Sequence, residues 1–160
     1  MHRFNIKTMK KTVIFSVLLV LACLPMMAQQ KGGLIGQPKQ SKVQHITYQG
    51  FINKVWDFEK NPSTFVFKGK TPAIVDFYAD WCGPCRKVSP IMEKLAEDFN
   101  GRLTVYKVNV DEEKELASVF QVSSIPMVLF VPMKGQPMVQ VGAMSEEDYR
   151  KVVEEHLLTK

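Results

Sequence analysis

Two cysteines separated by two residues are the strongest chemical signal in this sequence. They stand in Trp81-Cys82-Gly83-Pro84-Cys85, between an apolar run and a pattern typical of a helix. Cysteines three positions apart at a helix start face each other across one turn, at a Cα separation of about 5–6 Å that suits a disulfide. The spacing therefore favours reversible thiol–disulfide chemistry.

The two cysteines are expected to differ in their surroundings. Cys82 lies at the helix N-terminus, where unpaired backbone N–H groups and the helix dipole stabilise a thiolate. Cys85 lies inside the helix and should be more buried, so its thiol should stay protonated longer. Pro84 fits the first helical turn, where a missing N–H costs nothing. We expect Cys82 to attack a substrate disulfide and Cys85 to resolve the mixed disulfide.

A zinc half-site and an inert structural disulfide are the alternative uses of this pair. A four-ligand zinc site needs a second pair of Cys or His residues. His45 and His156 stand alone, and Cys23 lies in the N-terminal segment. An inert bridge across so short a loop would constrain little of the unfolded chain. Redox chemistry is favoured, and we expect no metal and no organic cofactor.

Asp76 and Pro126 are further candidates whose surroundings the pattern leaves open. Asp76 stands inside the apolar run Ala73–Ala79, six residues before Cys82. A buried carboxyl there would have a raised pKa and could take the proton of Cys85, but a solvent-facing position fits the pattern equally well. Pro126 directly precedes another apolar run. Trans is the commoner X–Pro isomer, and the sequence does not decide between the two.

Strands and helices alternate along the rest of the chain. Strands are predicted at 43–47, 73–79, 102–110, 127–131 and 137–141. Helices are predicted at about 84–100, at 113–120 and from Ser145 onward, and a further helical pattern carries Phe51, Val55 and Phe58. The last helix should bury Tyr149, Val152, Val153, His156 and Leu157. This order predicts an α/β domain with a mixed sheet.

The first 28 residues are predicted to be a secretory signal peptide. Residues 1–28 hold four basic residues and no acid, with an apolar run from Val13 to Leu24 and a small residue at Ala28. The run is shorter than the ~20 apolar residues that span a bilayer. An uncleaved anchor helix and a lipid on Cys23, in a segment similar to a lipoprotein cleavage box, are the alternatives. Met9 would serve equally well as the start.

The composition and charge exclude several other classes of protein. With 160 residues, 46% of them hydrophobic and 23% charged, the chain is typical of a globular protein. Loss of the four basic residues of 1–28 would reduce the net charge from +5 to +1, so we expect no nucleic-acid partner. Residues 29–42 are predicted to be a flexible linker and 43–160 a single domain. We expect a monomer.

From about Val43 to Leu158 the chain resembles the thioredoxin family. The resemblance rests on a strand with Asp76, the Trp81–Cys85 motif, a helix with Pro90, Lys107–Asp111, Ile125-Pro126, Gly142 and a terminal helix, in that order. It implies the thioredoxin fold, a central mixed sheet flanked by helices on both faces. It also implies a protein-disulfide oxidoreductase with Cys82 as nucleophile, Cys85 as resolving cysteine and Asp76 as proton acceptor, approached by Lys107.

The resemblance also implies a surface that binds the substrate. Pro126 would be a cis-proline facing the cysteines, and the backbone of Ile125 would pair with the substrate. Trp81, Gly83, Pro84 and Gly142 would line the docking surface. Two residues depart from the family pattern: Met127 stands where Thr is usual, which would make the groove more apolar, and Tyr78 replaces a common Trp.

These observations lead to an expected function. The Gly-Pro between the cysteines is similar to that of reducing thioredoxins, so we expect an exported, periplasmic reductase or exchanger of protein disulfides. An upstream thiol reductant, such as a membrane electron carrier, would reduce its disulfide again after each cycle. A dedicated relay for cytochrome c maturation or disulfide isomerisation is one alternative. A redox-inactive binding or chaperone module is another.

Overall fold

A computed structural model describes residues 42–159. The strands are β1 Gln44–His45, β2 Ala73–Tyr78, β3 Thr104–Asn109, β4 Met127–Val131 and β5 Met138–Val141. The helices are α1 Tyr48–Lys54, α2 Gly83–Asp98, α3 Lys114–Val119 and α4 Glu146–Val152, which continues as a π-helical turn, Val153–Leu157. The predicted signal segment 1–28, with Cys23, and nearly all of the predicted linker lie outside the described residues.

The five strands form one mixed sheet in the order β1-β3-β2-β4-β5. β1, β3 and β2 run parallel, whereas β4 and β5 are antiparallel to their neighbours. All six residues of β2 are buried, because helices cover both faces of this central strand. The prediction of an α/β domain with a mixed sheet is confirmed.

Alternate residues of β2 point to two separate hydrophobic clusters. On one face Ile74 packs with residues of α2, α4 and the π-helical turn, among them Val88, Met92, Leu95, Tyr149 and Leu157. On the other face Val75 and Phe77 pack with residues of α1 and α3, among them Phe51, Ile52 and Leu116. Asp76 and Tyr78 follow Ile74 at intervals of two and therefore lie on the face that α2 covers.

The first two elements are shorter than predicted. β1 has two residues instead of five, since it is an edge strand that pairs only with Tyr106 and Lys107 of β3. Thr47 then ends the strand by capping α1, its hydroxyl accepting from the N–H of Gly50 at 3.1 Å. α1 ends at Lys54, so the prediction that Phe58 lies in this helix is wrong. Phe58 is nonetheless buried, because the turn after α1 folds back onto the same cluster.

The C-terminal helix differs from the prediction in one residue. Ser145 caps it as predicted, accepting from the N–H of Asp148 at 3.1 Å. His156 was expected on the apolar stripe, but it is exposed, whereas Leu157 is buried. The π-helical turn has more residues per turn than an α-helix, which changes the phase of the stripe. Within residues 42–159, no helix is both long enough and apolar enough to cross a membrane.

Candidate active site

The junction of β2 and α2 holds Cys82 and Cys85 in a disulfide. Their Cα atoms are 5.3 Å apart, within the range that a disulfide requires. The N–H of Cys82 donates to the carbonyl of Ala79 at 3.1 Å, which closes the turn between strand and helix. Cys82 is the N-cap of α2, and Pro84 lies in the first turn. The sequence therefore positions the redox pair where a buried strand feeds directly into a long helix.

The two sulfur atoms differ in their position on the helix more than in their burial. Cys82 is 3% exposed and Cys85 1%, so the expected difference in burial is small. At the N-cap, the Cys82 sulfur accepts from the backbone N–H of Cys85 at 3.1 Å. Such a donor, together with the helix dipole, stabilises negative charge on that sulfur when the disulfide is reduced. Cys82 is thus the cysteine equipped to be a thiolate.

Asp76 is fully buried on the sheet face that α2 covers. This resolves the choice left open by the sequence in favour of burial. Neither of its carboxyl oxygens has a hydrogen-bond partner among residues 42–159. Burial raises the pKa of the Asp76 carboxyl to about 6, although the positive charge of Lys107 lowers it. A carboxyl of this pKa can accept and release a proton near neutral pH.

Lys107 stands beside Asp76 in the register of β2 and β3 but does not pair with it. Its ammonium donates to the hydroxyl oxygen of Ser89 on α2 and lies 4.1 Å from the centre of the Tyr78 ring. Tyr78, which replaces the family's common Trp, thus makes a cation–π contact beside the buried acid. Its hydroxyl lies 3.4 Å from Nδ1 of His45.

Ile125 lies next to the disulfide, and its neighbour Pro126 is hydrogen-bonded to Gly142. The Ile125–Pro126 peptide bond is cis. The carbonyl oxygen of Ile125 is 3.8 Å from the Cys82 sulfur. The carbonyl of Pro126 accepts from the N–H of Gly142 at 2.8 Å, which joins this loop to the end of β5. Gly142 has φ +88°, a conformation that side chains disfavour and glycine adopts freely.

Trp81 is the most exposed large apolar residue beside the disulfide, with 68% of its surface accessible. Its indole N–H donates to Oδ2 of Asp111, just after β3, at 2.8 Å. Gly83 is half-buried and Pro84 is exposed on the same turn. Trp81, Gly83 and Pro84 therefore form a partly exposed surface beside the disulfide.

Met127 is placed differently from the other predicted substrate-binding residues. Its side chain is 5% exposed and packs in the cluster on the α1 and α3 side of the sheet. As the first residue of β4 it alternates inward, so its thioether does not line an open groove as expected. In the described part of the chain, no group of three Cys, His, Asp or Glu residues could hold a metal ion.

Three residues near the site were not predicted to belong to it. Ser89 and Asp111 contact Lys107 and Trp81 through side chains that meet only after folding. Asp111 ends the segment Lys107–Asp111 that contributed to the resemblance, which was the single available signal for it. Tyr149 of α4 is fully buried on the Asp76 side of the sheet and was predicted only as a core residue.

Comparison with known proteins gives one consistent result. A model of the thioredoxin family matches residues 55–155. The chain is 41% identical over 110 residues to a thioredoxin of Borreliella burgdorferi, covering 69% of this chain and 93% of that protein. It is 37% identical to a thioredoxin of Chlorobaculum thiosulfatiphilum, covering 62% of this chain and 92% of the relative.

Two chloroplast proteins are also similar. The chain is 36% identical to thioredoxin M-type of Spinacia oleracea and spans about half of that protein, with 58% and 51% of the two chains covered. A solved structure of chloroplastic thioredoxin z superposes with a TM-score of 0.58 at 24% identity, covering 71% of this chain and 92% of the other. That structural match concerns the fold alone.

Proposed function

The chain belongs to the thioredoxin family of protein-disulfide oxidoreductases, and we propose that it is an exported member that reduces disulfides in other exported proteins. The observation that carries the proposed reduction is the Cys82–Cys85 disulfide at the N-terminus of α2, beside an exposed tryptophan and a buried acid. The proposed export is supported by the signal-peptide pattern of residues 1–28. The redox group is part of the protein itself, so the reaction proceeds without a bound cofactor.

In the first step, Cys82 attacks the substrate. Its thiolate, stabilised by the N–H of Cys85 and by the helix dipole, bonds to one sulfur of the substrate disulfide. The substrate S–S bond breaks, and the released sulfur leaves as a thiolate that takes a proton from water. The carbonyl of Ile125 lies beside the reacting sulfur and the exposed Trp81 directly precedes Cys82, so both would hold the substrate segment in place.

In the second step, Cys85 releases the substrate. Its thiol gives its proton to Asp76, and the resulting thiolate attacks Cys82. The mixed disulfide breaks, the second substrate sulfur leaves with the electron pair and is protonated, and the Cys82–Cys85 disulfide forms. The substrate gains two electrons and two protons in all. A dithiol reductant must then supply two electrons to reduce this disulfide for the next cycle.

Net reduction is the proposed direction of flow. The Gly-Pro sequence between the cysteines supports it by its similarity to reducing thioredoxins. We further propose a membrane electron carrier as the upstream thiol donor, because an oxidising compartment lacks the cytosolic pool of reductants. A measured reduction potential near that of the reducing members would support this direction, and a strongly oxidising potential would contradict it.

An insulin-reduction assay tests the proposed activity. With dithiothreitol as reductant, the wild-type protein should accelerate insulin reduction. Cys82→Ser and Cys85→Ser should each remove the acceleration, because each lacks one sulfur of the pair. Ser118→Ala, on the exposed part of α3, serves as the control and should reduce insulin like the wild type. Equal rates for Cys82→Ser and the wild type would contradict the assignment.

Export is tested by the N-terminus of the protein in its own cells. We propose cleavage after Ala28, which gives a mature chain beginning at Gln29 and found in the periplasm. Mass spectrometry of the intact protein would detect that start. A chain beginning at a lipid-modified Cys23, or one that retains residues 1–28, would contradict this cleavage. Cys23→Ser separates the outcomes, since it should not alter cleavage after Ala28.

A further inference from the structure

Lys107 is the charged residue closest to Asp76 in the sheet register, yet it does not neutralise that carboxyl. The two residues are paired across β2 and β3, so both side chains lie on the α2 side of the sheet. Lys107 is buried, with 8% of its surface exposed. An ammonium so close to a buried carboxyl would ordinarily bind to it, because ion pairing offsets much of the cost of burial.

Two contacts hold the Lys107 ammonium elsewhere. It donates to the hydroxyl oxygen of Ser89, one turn beyond Cys85 on α2. It also lies 4.1 Å from the centre of the Tyr78 ring, above the negative face of that ring. Both carboxyl oxygens of Asp76 meanwhile have no hydrogen-bond partner among the described residues. The position of the Lys107 ammonium is therefore set by the Ser89 hydroxyl on α2 and the Tyr78 ring on β2.

We propose that Ser89 is a positioning residue: with the Tyr78 ring it holds the Lys107 ammonium away from Asp76, and so keeps that carboxyl basic enough to take the proton of Cys85. The inference rests on the proposed reduction mechanism and assigns a role to a residue on the helix that also carries the redox pair. Ser89 itself touches neither the substrate nor the reacting sulfurs.

Asp76 faces few other ionisable groups. Tyr78 lies two residues away on β2, Lys107 faces it from β3 and Cys85 is on α2. Tyr149, fully buried on α4, shares this side of the sheet, and β4 places the apolar Val128 opposite Asp76. Burial raises the pKa of both tyrosines, so they are neutral in the pH range that concerns Asp76. Lys107 is therefore the group whose movement most changes the charge near Asp76.

Removal of the Ser89 hydroxyl should release the ammonium toward the carboxyl. An opposite charge that moves to within about 4–6 Å of a carboxyl lowers its pKa by roughly 1–3. The Asp76 carboxylate would then be easier to form but a weaker base. Resolution of the mixed disulfide by Cys85 would be slower, while the attack by Cys82 would be unaffected.

The test is the titration of Asp76 in the oxidised protein, followed by carbon-13 NMR of its side-chain carboxyl. Ser89→Ala should lower the Asp76 pKa by about 1 or more. Ser89→Thr retains a hydroxyl and should titrate like the wild type, as should the surface control Ser118→Ala. Lys107→Met should raise the pKa, since it removes the positive charge that lowers it.

The double variant Ser89→Ala/Lys107→Met makes the test specific. If Ser89 acts through Lys107, loss of Ser89 should have no effect on the Asp76 pKa once Lys107 is gone. An unchanged pKa in Ser89→Ala, or an equal shift with and without Lys107, would overturn the proposal. The titration needs no substrate, so its result stands whether or not the protein reduces insulin, and the two proposals can fail separately.

Discussion

The indole N–H of Trp81 donates a 2.8 Å hydrogen bond to Oδ2 of Asp111. This bond ties the exposed residue directly before Cys82 to the loop that follows β3. A large apolar side chain that is 68% exposed would otherwise sample several rotamers. Asp111 thereby fixes the orientation of the ring on which an incoming protein would rest.

Loss of this bond should weaken substrate binding without impairing the cysteine chemistry. In Asp111→Ala the indole becomes mobile, and ordering it again costs up to about 1 kcal/mol, which corresponds to a few-fold higher KM for insulin. The rate with a small disulfide such as dithiobis(nitrobenzoate) should stay the same. Asp111→Asn keeps an acceptor oxygen and should lie between Ala and the wild type. Equal losses with insulin and with the small disulfide would contradict this role.

Asp76 should make the oxidised protein less stable as pH rises. Its pKa is raised from 3.8 to about 6 by burial, so the unfolded chain loses this proton at lower pH than the folded protein does. The free energy of unfolding should therefore fall between pH 3.8 and about 6 and remain lowered above that range. A pKa difference of this size corresponds to about 3 kcal/mol.

Asp76→Asn removes this pH dependence. Urea denaturation at pH 7.5 should find the variant more stable than the wild type by up to about 3 kcal/mol, with the difference shrinking toward pH 4. Glu155→Gln removes an exposed carboxyl and should keep the wild-type profile. Insulin reduction by Asp76→Asn should slow by about tenfold or more, because the variant lacks the base for Cys85. If Asp76→Asn were no more stable than the wild type at pH 7.5, the Asp76 carboxylate would not be an uncompensated buried charge.

A second buried acid, Asp57, should have the opposite effect on the dependence of stability on pH. Lys68 donates to Oδ2 of Asp57 at 3.2 Å and to the carbonyl of Ile52 at 2.8 Å. Burial raises the pKa of Asp57, but the hydrogen bonds from Lys68 and from the backbone of Lys60 outweigh it and lower that pKa overall. The stability that Asp57 contributes is present above the ordinary carboxyl pKa and is lost as pH falls through the lowered value.

Lys68→Met should consequently reduce the melting temperature at neutral pH more than Lys60→Met does. The ammonium of Lys68 lies 3.2 Å from the Asp57 carboxylate, and that of Lys60 lies 3.6 Å from it. The Lys60 side chain is 82% exposed, whereas the Lys68 side chain is 36% exposed. Solvent therefore screens the Lys60–Asp57 pair more strongly than the Lys68–Asp57 pair. Thermal melts at neutral pH, and again at low pH where Asp57 is protonated, measure the loss of melting temperature in each variant. A larger loss for Lys60→Met would contradict the structural ranking.

The sequence predicts the central elements well because their signals are local. β4 has the predicted bounds, Met127–Val131, since a continuous apolar run defines a buried strand by itself. The Cys82–Cys85 spacing likewise predicts a disulfide from one helical turn alone. The short edge strand β1 and the end of α1 before Phe58 depend on tertiary contacts, which period and propensity do not contain.

The surroundings of Asp76 illustrate what sequence cannot provide. In a strand buried on both faces, alternation between apolar and polar residues disappears, so the pattern could not decide whether Asp76 is buried. The contact of Lys107 with Ser89 depends on which residue of α2 faces β3 after packing. The isomer of the Ile125–Pro126 bond is similarly not encoded in the two residues themselves.

The most direct test of the account is to trap the reaction between its two steps. Cys85→Ser, reduced and incubated with a peptide disulfide, should accumulate a mixed disulfide on Cys82, visible as an intact-mass adduct and located by peptide mapping. Cys82→Ser should form no such adduct at a comparable rate, because Cys85 lies inside the helix and lacks the N-cap position that stabilises a thiolate on Cys82. A faster or equal adduct on Cys85 in the Cys82→Ser variant would contradict the assignment of nucleophile and resolving cysteine.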